Sequence, residues 1–189
     1  TDPAALAVVD RLWRELGALY EAYRRHENEA FPELPIQYAD YAVWQRNELR
    51  GERQEQLLQY WRKQLRGLSA VELPTDRPRP PQTSYRGARH AFEFPPELVG
   101  QLRRLSRTES VTLHMTLLAA FQALLARYCG QDDIAVGLPI AGRQHAELEH
   151  LIGLFVNMLV LRTDLSGEPT FRELLGRVRR VSLEAYDHQ

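Results

Sequence analysis

The segment from Pro74 to Ser84 reads Pro-Thr-Asp-Arg-Pro-Arg-Pro-Pro-Gln-Thr-Ser, with four prolines in eleven residues. Each proline lacks an amide donor, fixes its own φ and drives the residue before it out of the helical region. Such a run is excluded from a helix and from the interior of a sheet, so it reads as an extended, polyproline-like connector. It divides the 189-residue chain into a helical stretch over residues 1–72, a connector over 73–84 and a second lobe over 85–189.

Before the connector the apolar spacing is helical. Leu12, Leu16, Leu19 and Tyr23 recur on one face of a helix expected from Pro3 to Arg25, with Asp2 as its N-cap. Pro32 and Pro35 interrupt the next stretch. A second helical pattern runs from Tyr38 to Leu65 on Tyr41, Trp44, Leu57, Leu58, Trp61 and Leu65, with a break at Gly51.

After the connector the grammar changes. His90 to Phe94 alternates as a strand, and Pro95-Pro96 opens a helix to Glu109. Thr112 is placed to cap an apolar helix that Gly130 stops. Ile134 to Ile140 and Phe155 to Leu161 read as short strands, and Thr170 caps a final amphipathic helix on Phe171, Leu174, Leu175 and Val178. Strands and helices in this order give an α+β class, an α/β sandwich with helices packed on a sheet.

Composition narrows the functions. Lys plus Arg total 24 against 25 acidic residues, a net charge of −1, which removes the electrostatic pull that nucleic-acid binding uses. The most apolar stretch, Val111 to Ala126, carries His114, Thr116 and Gln122 and is shorter than the roughly 20 residues of a spanning helix. It reads as a buried helix with His114 satisfied in the core. The single Cys129 forms no internal disulfide, and no signal-peptide pattern opens the chain, so a cytoplasmic location is expected. No Cys/His metal spacing, G-x-S-x-G, P-loop or G-x-G-x-x-G is present. His145 and His150 beside Glu147 and Glu149 read as a solvated polar loop, and no metal is expected.

Three segments use residues that packing alone does not explain. They are Tyr38-Ala39-Asp40-Tyr41-Ala42-Val43-Trp44, Gly137-Leu138-Pro139-Ile140-Ala141-Gly142-Arg143, and Ile152 to Arg162 with Gly153, Phe155, Asn157 and Met158 inside it. An Asn within an apolar strand run must find partners or lose about 1–3 kcal/mol. Asn157 is therefore expected to be buried and hydrogen-bonded.

Together these segments resemble the condensation domains of nonribosomal peptide synthetases. The family's motifs read Tyr-x-Asp-Tyr-Ala-Val-Trp, Ile-Gly-x-Phe-Val-Asn-Thr with an Arg shortly after, and His-Gln-Asp-x-Pro-Phe. This chain matches the first at Tyr38 to Trp44 and the second at Ile152 to Arg162, with Met158 where Thr is usual, and it ends at His188-Gln189. The resemblance implies a chloramphenicol acetyltransferase-like lobe and amide-bond formation between a donor acyl or peptidyl thioester and an acceptor aminoacyl thioester. It implies no directly bound cofactor. The substrates ride on the phosphopantetheine of carrier protein domains upstream and downstream, with an adenylation domain in the same multienzyme and neither nucleic acid nor membrane as partner.

Residue by residue, the resemblance places Arg143, Gly153, Asn157, Met158, His188 and Gln189 around a substrate tunnel, Arg143 pairing with the Asp of a catalytic His-His-x-x-x-Asp-Gly motif. Tyr38, Asp40, Trp44 and Arg162 are expected to brace the fold. The catalytic motif itself should precede Arg14-Glu15-Leu16, with its second His near Thr1 and its Asp near Ala5, and neither position matches. The expectation is that the chain starts just beyond that motif or carries a degenerate form of it, and is inactive alone. A degenerate, protein-recruiting module is the competing reading, with the epimerization and heterocyclization branches behind it. Helices cut from the first lobe would leave Trp13, Leu16, Leu19, Tyr41 and Trp44 with exposed apolar faces.

Overall fold

The structure, a computed structural model, describes residues 3–27, 31, 33–78, 80–82 and 85–189, with side chains described from residue 9 onward. Its elements are helix α1 (Pro3–Arg25), α2 (Tyr38–Glu48), α3 (Gly51–Gln64), α4 (Pro96–Thr108) and α5 (Leu113–Cys129), strands β1 (Asp133–Ile140) and β2 (Asn157–Asp164), and helix α6 (Phe171–Asp187). A single 3-10 turn, Ala146–Leu148, lies between the strands. The strands pair as a two-stranded sheet. The α+β class is as the sequence indicates, and the helix boundaries fall where the caps and proline signals put them. The capping Asp2 lies outside the described residues, as do Arg79, Thr83 and Ser84 of the connector.

The chain separates into two compact units, residues 1–60 with 139–159, and residues 61–138 with 160–189. The second holds most of the packed core. There α5 packs against α4 and α6. Ala119, Ile134, Leu161, Leu175 and Val178 are fully buried, and each large side chain removed from water contributes roughly 1.5–3 kcal/mol. Local chemistry sets each element. Thr112 Oγ1 accepts from the Met115 amide at 3.1 Å, and Gly130 ends α5 in the left-handed region at φ 63°. The Ser106 and Thr116 hydroxyls meet at 2.8 Å and so tie α4 to α5. Gln122, fully buried on α5, donates to the Leu161 carbonyl at 3.0 Å and to that of Ile134 at 3.4 Å. One side chain thereby touches both strands.

Arg162 is the other polar tie in this unit. Its Nε and Nη2 reach the Asp133 carboxylate at 2.8 and 2.7 Å. Its Nη1 donates to the Gln64 and Arg66 carbonyls at 2.8 and 2.9 Å, at the C-terminal end of α3. The Asp133 bonds hold the guanidinium above its ordinary value. The fork geometry of Arg suits this double duty, which Lys does not reproduce.

Two expectations are corrected here. Residues His90 to Phe94 form no strand and are exposed. Alternation allows a strand but does not make one without a partner strand, and among the described residues the sheet consists of β1 and β2; the Phe92 and Phe94 rings meet each other at 5.4 Å. His114 is exposed. Helix α5 buries Met115, Thr116, Leu118, Ala119 and Gln122, and His114 stands off that face.

Thr170 and Glu173 form a capping box on α6. Glu173 Oε2 accepts from the Thr170 amide at 2.7 Å and from its hydroxyl at 2.8 Å. The bond from the Thr170 amide, then that from its hydroxyl, hold the Glu173 carboxyl below its ordinary 4.5. A depressed folded value stabilises above the unfolded value and ceases to do so as pH falls through the folded one. Glu173→Gln is therefore expected to weaken α6 at neutral pH, with the difference from the parent vanishing on acidification below about 4.5, as urea titrations across that range measure.

Candidate functional site

The first unit brings the three unusual segments together. Helix α2 starts where the Gln37 amide donates to the Asp40 carboxylate at 2.8 Å, so Asp40 is a capping residue as well as a motif residue. With that start set, Tyr38, Tyr41 and Trp44 project at helical spacing toward the loop between the strands. The Tyr38 hydroxyl donates to the Leu154 carbonyl at 2.9 Å, 116 residues away. The Phe155 ring meets Tyr38 edge-on at 5.3 Å and Tyr41 at 4.7 Å. Trp44 stands 5.9 Å from Tyr41 and presents to His145 at 5.1 Å, edge to face. Leu148 and Leu151 complete the buried set, with Leu34 and Ile36 packed against it.

Arg143 lies on this cluster. Its guanidinium carbon sits 4.1 Å from the Phe155 ring centroid, and Nη1 donates to the Leu148 carbonyl. Burial lowers the guanidinium from its ordinary value, opposed by the Tyr41 phenol. Burial first, and Tyr38 second, raise the Tyr41 phenol; the Gln45 amide bond and the Arg143 charge act against them. At neutral pH the pair is a neutral phenol beside a cation.

Two glycines permit the approach. Gly142 has φ 63°, and a Cβ on it would run into the Phe155 carbonyl. A Cβ on Gly153 would overlap the Tyr38 ring. On the α2 side of the cluster a concavity of about 360 Å³ is lined by Ile36, Asp40, Tyr41, Trp44, His145, Glu147 and Leu148. Its lining combines aromatic and aliphatic side chains with two carboxylates and an imidazole. Among the described residues no three His, Cys, Asp or Glu side chains converge as a metal site would require.

The sequence-derived residues thus divide. Tyr38, Asp40, Trp44, Arg143 and Gly153 meet in one knot. Asn157 does not join it and is not buried, contrary to expectation. It is exposed at the first position of β2, its Oδ1 accepting from the next amide, that of Met158, at 2.9 Å. It shares the parity of the buried row Leu159, Leu161 and Thr163, but cover starts only at Leu159. Met158 is also exposed. Arg162 belongs to the tie in the other unit, where the His188 carbonyl accepts from Trp61 Nε1 at 2.9 Å and Gln189 is half-buried. Of the five side chains expected to lose cover, Trp13, Leu16, Leu19 and Trp44 are exposed, Trp13 by 65%, whereas Tyr41 is buried at 8%. Phe155 closes over Tyr41, and its central place was not singled out from sequence. The signal was an aromatic two residues after Gly153 and two residues before a strand.

A family model described as Condensation domain matches residues 9–189. A linear gramicidin synthase from Brevibacillus parabrevis is 58% identical over 94% of this chain, which spans 4% of that protein's length. Among solved structures, the SgcC5 protein of Streptomyces globisporus is 34% identical, with a TM-score of 0.77 over 100% of this chain and 42% of its own. The X-domain from teicoplanin biosynthesis is 30% identical, with a TM-score of 0.87 over 96% of this chain and 42% of its own.

Gly142→Ala is expected to destabilise by about 1–3 kcal/mol, since it adds strain at positive φ to a clash with backbone. Gly153→Ala is expected to be milder because it adds no strain at positive φ and its overlap is with a side chain, the Tyr38 ring, rather than with backbone. Denaturant midpoints of the two variants check the order, and equal midpoints contradict the packing described.

Proposed function

The chain belongs to the condensation-domain family, and from that premise we propose that it is part of a nonribosomal peptide synthetase domain that forms amide bonds. In this reading the amine of an acceptor aminoacyl thioester attacks the carbonyl of a donor acyl or peptidyl thioester. The tetrahedral intermediate expels the donor carrier's thiol, and the proton from the amine passes to a base. That base is a histidine of the His-His-x-x-x-Asp-Gly motif, which these 189 residues do not contain. Both substrates ride on phosphopantetheine arms of carrier protein domains upstream and downstream, and an adenylation domain of the same cytoplasmic multienzyme loads them.

The observation that carries the reading is the convergence of the α2 motif, the Gly142-Arg143 turn and the Gly153-to-Phe155 loop on one half-buried cation. A tunnel of this kind acts mainly by holding two reactants in position, which is worth several kcal/mol of barrier. In it Arg143 supports the catalytic motif through that motif's Asp, and Gly153, Asn157, Met158, His188 and Gln189 border the substrate path. Residues 1–72 are the helical end of one lobe, 73–84 its connector and 85–189 part of the other. No single helix among the described residues is long and apolar enough to cross a membrane.

The likeness to the X-domain, one structure of which is a complex with OxyB from teicoplanin biosynthesis, favours a second reading as a protein-recruiting module. The two readings differ in turnover. The complete domain containing this chain, given two loaded carrier domains, is expected to yield amide in a single turnover, and Arg143→Ala to slow it at least about tenfold. The 189 residues alone are expected to give no more than uncatalysed aminolysis. A complete domain that yields no amide but retains a folded partner protein supports the recruiter; amide from the 189 residues alone removes the upstream histidine from the mechanism.

A further inference from the structure

Phe155 touches the Arg143 turn in two places. Its ring lies 4.1 Å from the guanidinium carbon, and its carbonyl occupies the space that a side chain on Gly142 would need. Phe155 is itself 5% exposed and fixed from two sides, by the edge of Tyr38 and by the ring of Tyr41. The Leu148 carbonyl takes one donor of the guanidinium. Guanidinium carries five N–H donors in its plane and none on its faces. A ring has no oxygen acceptor, so the Phe155 contact holds the group without pairing its donors with one, whereas a carboxylate in the same place would take two of them.

We infer that Phe155 is a positioning residue for Arg143, its ring fixing the plane of the guanidinium so that the remaining in-plane donors present to an acceptor in the site proposed above. The inference rests on that reading of the site and extends it to a residue outside the substrate path. It differs from plain core filling in what the ring contributes. Core filling needs volume alone; positioning needs the negative face of the aromatic quadrupole, which attracts the cation. A leucine supplies volume without that face. Ring fluorination leaves the shape nearly intact and drains the face of charge.

The test uses the complete domain with loaded carriers and compares Phe155→Leu with phenylalanine carrying one, two or three ring fluorines at position 155. Positioning predicts that kcat for amide formation falls stepwise with fluorine number, and about tenfold for Phe155→Leu, while KM for the acceptor carrier and the melting midpoint stay at the parent values along the fluorine series. A flat kcat along that series, or losses that follow the melting midpoint, overturns it. A second readout is independent of turnover: the Arg143 Nε–H resonance, displaced by the Phe155 ring current in the parent, should return toward its free-arginine position in Phe155→Leu. An unmoved resonance overturns the inference. If the parent domain makes no amide, the functional reading falls, and this resonance still decides whether Phe155 holds Arg143.

Discussion

A cation held against an aromatic ring is the contact on which the first unit is organised. Arg143 has its guanidinium over Phe155 and one donor on the Leu148 carbonyl, and a half-buried charge needs both. To keep that arrangement, Phe155 must come close to the Gly142 backbone, Gly153 must leave room for Tyr38, and Tyr38 must anchor to Leu154. The identity of three separated segments follows from one geometric requirement. Each side chain in the knot is placed by a neighbour, and the neighbours lie on opposite sides of a proline-rich connector in the sequence.

The second unit rests on a different kind of tie. Its core is aliphatic, with a few buried polar side chains such as Ser106, Thr116 and Gln122 inside it and the Arg162–Asp133 pair at its half-exposed margin. Arg162 joins the end of α3 to Asp133, and the Ser106–Thr116 contact joins two helices. These bonds add modest net energy individually, about 0.5–1.5 kcal/mol for a neutral pair. The larger effect of the Ser106–Thr116 contact is on alternatives, because a rearrangement that separates the two helices strands a buried hydroxyl.

What was legible in the sequence follows from the range of the forces involved. Helices α5 and α6 could be read from Thr112, Gly130 and Thr170 because a cap is chemistry between residues three or four apart. The break at Gly51 was equally local, a positive φ of 59° that glycine accepts. Residues His90 to Phe94 carried the same quality of pattern, yet a strand exists only beside another strand. His114 and Asn157 failed for a related reason. Periodicity tells which residues share a face and says nothing of how far along the element that face is covered. Arg143, Gly153 and the Tyr38-to-Trp44 set were found through their motifs, whereas Phe155 became central only once distant segments met.

Gln122 has a consequence for the strands themselves. An amide on α5 that bonds to carbonyls of both Ile134 and Leu161 works as a key cut for two locks at once. In a strand, successive carbonyls point to opposite sides, so a slip of one residue in either strand would turn the matching carbonyl away from the key. A two-stranded ribbon has little of its own to resist such slippage. The helix thus acts as a gauge for the sheet: strands out of phase leave a fully buried amide with nothing to donate to, and the misaligned state is rejected by a side chain that belongs to neither strand.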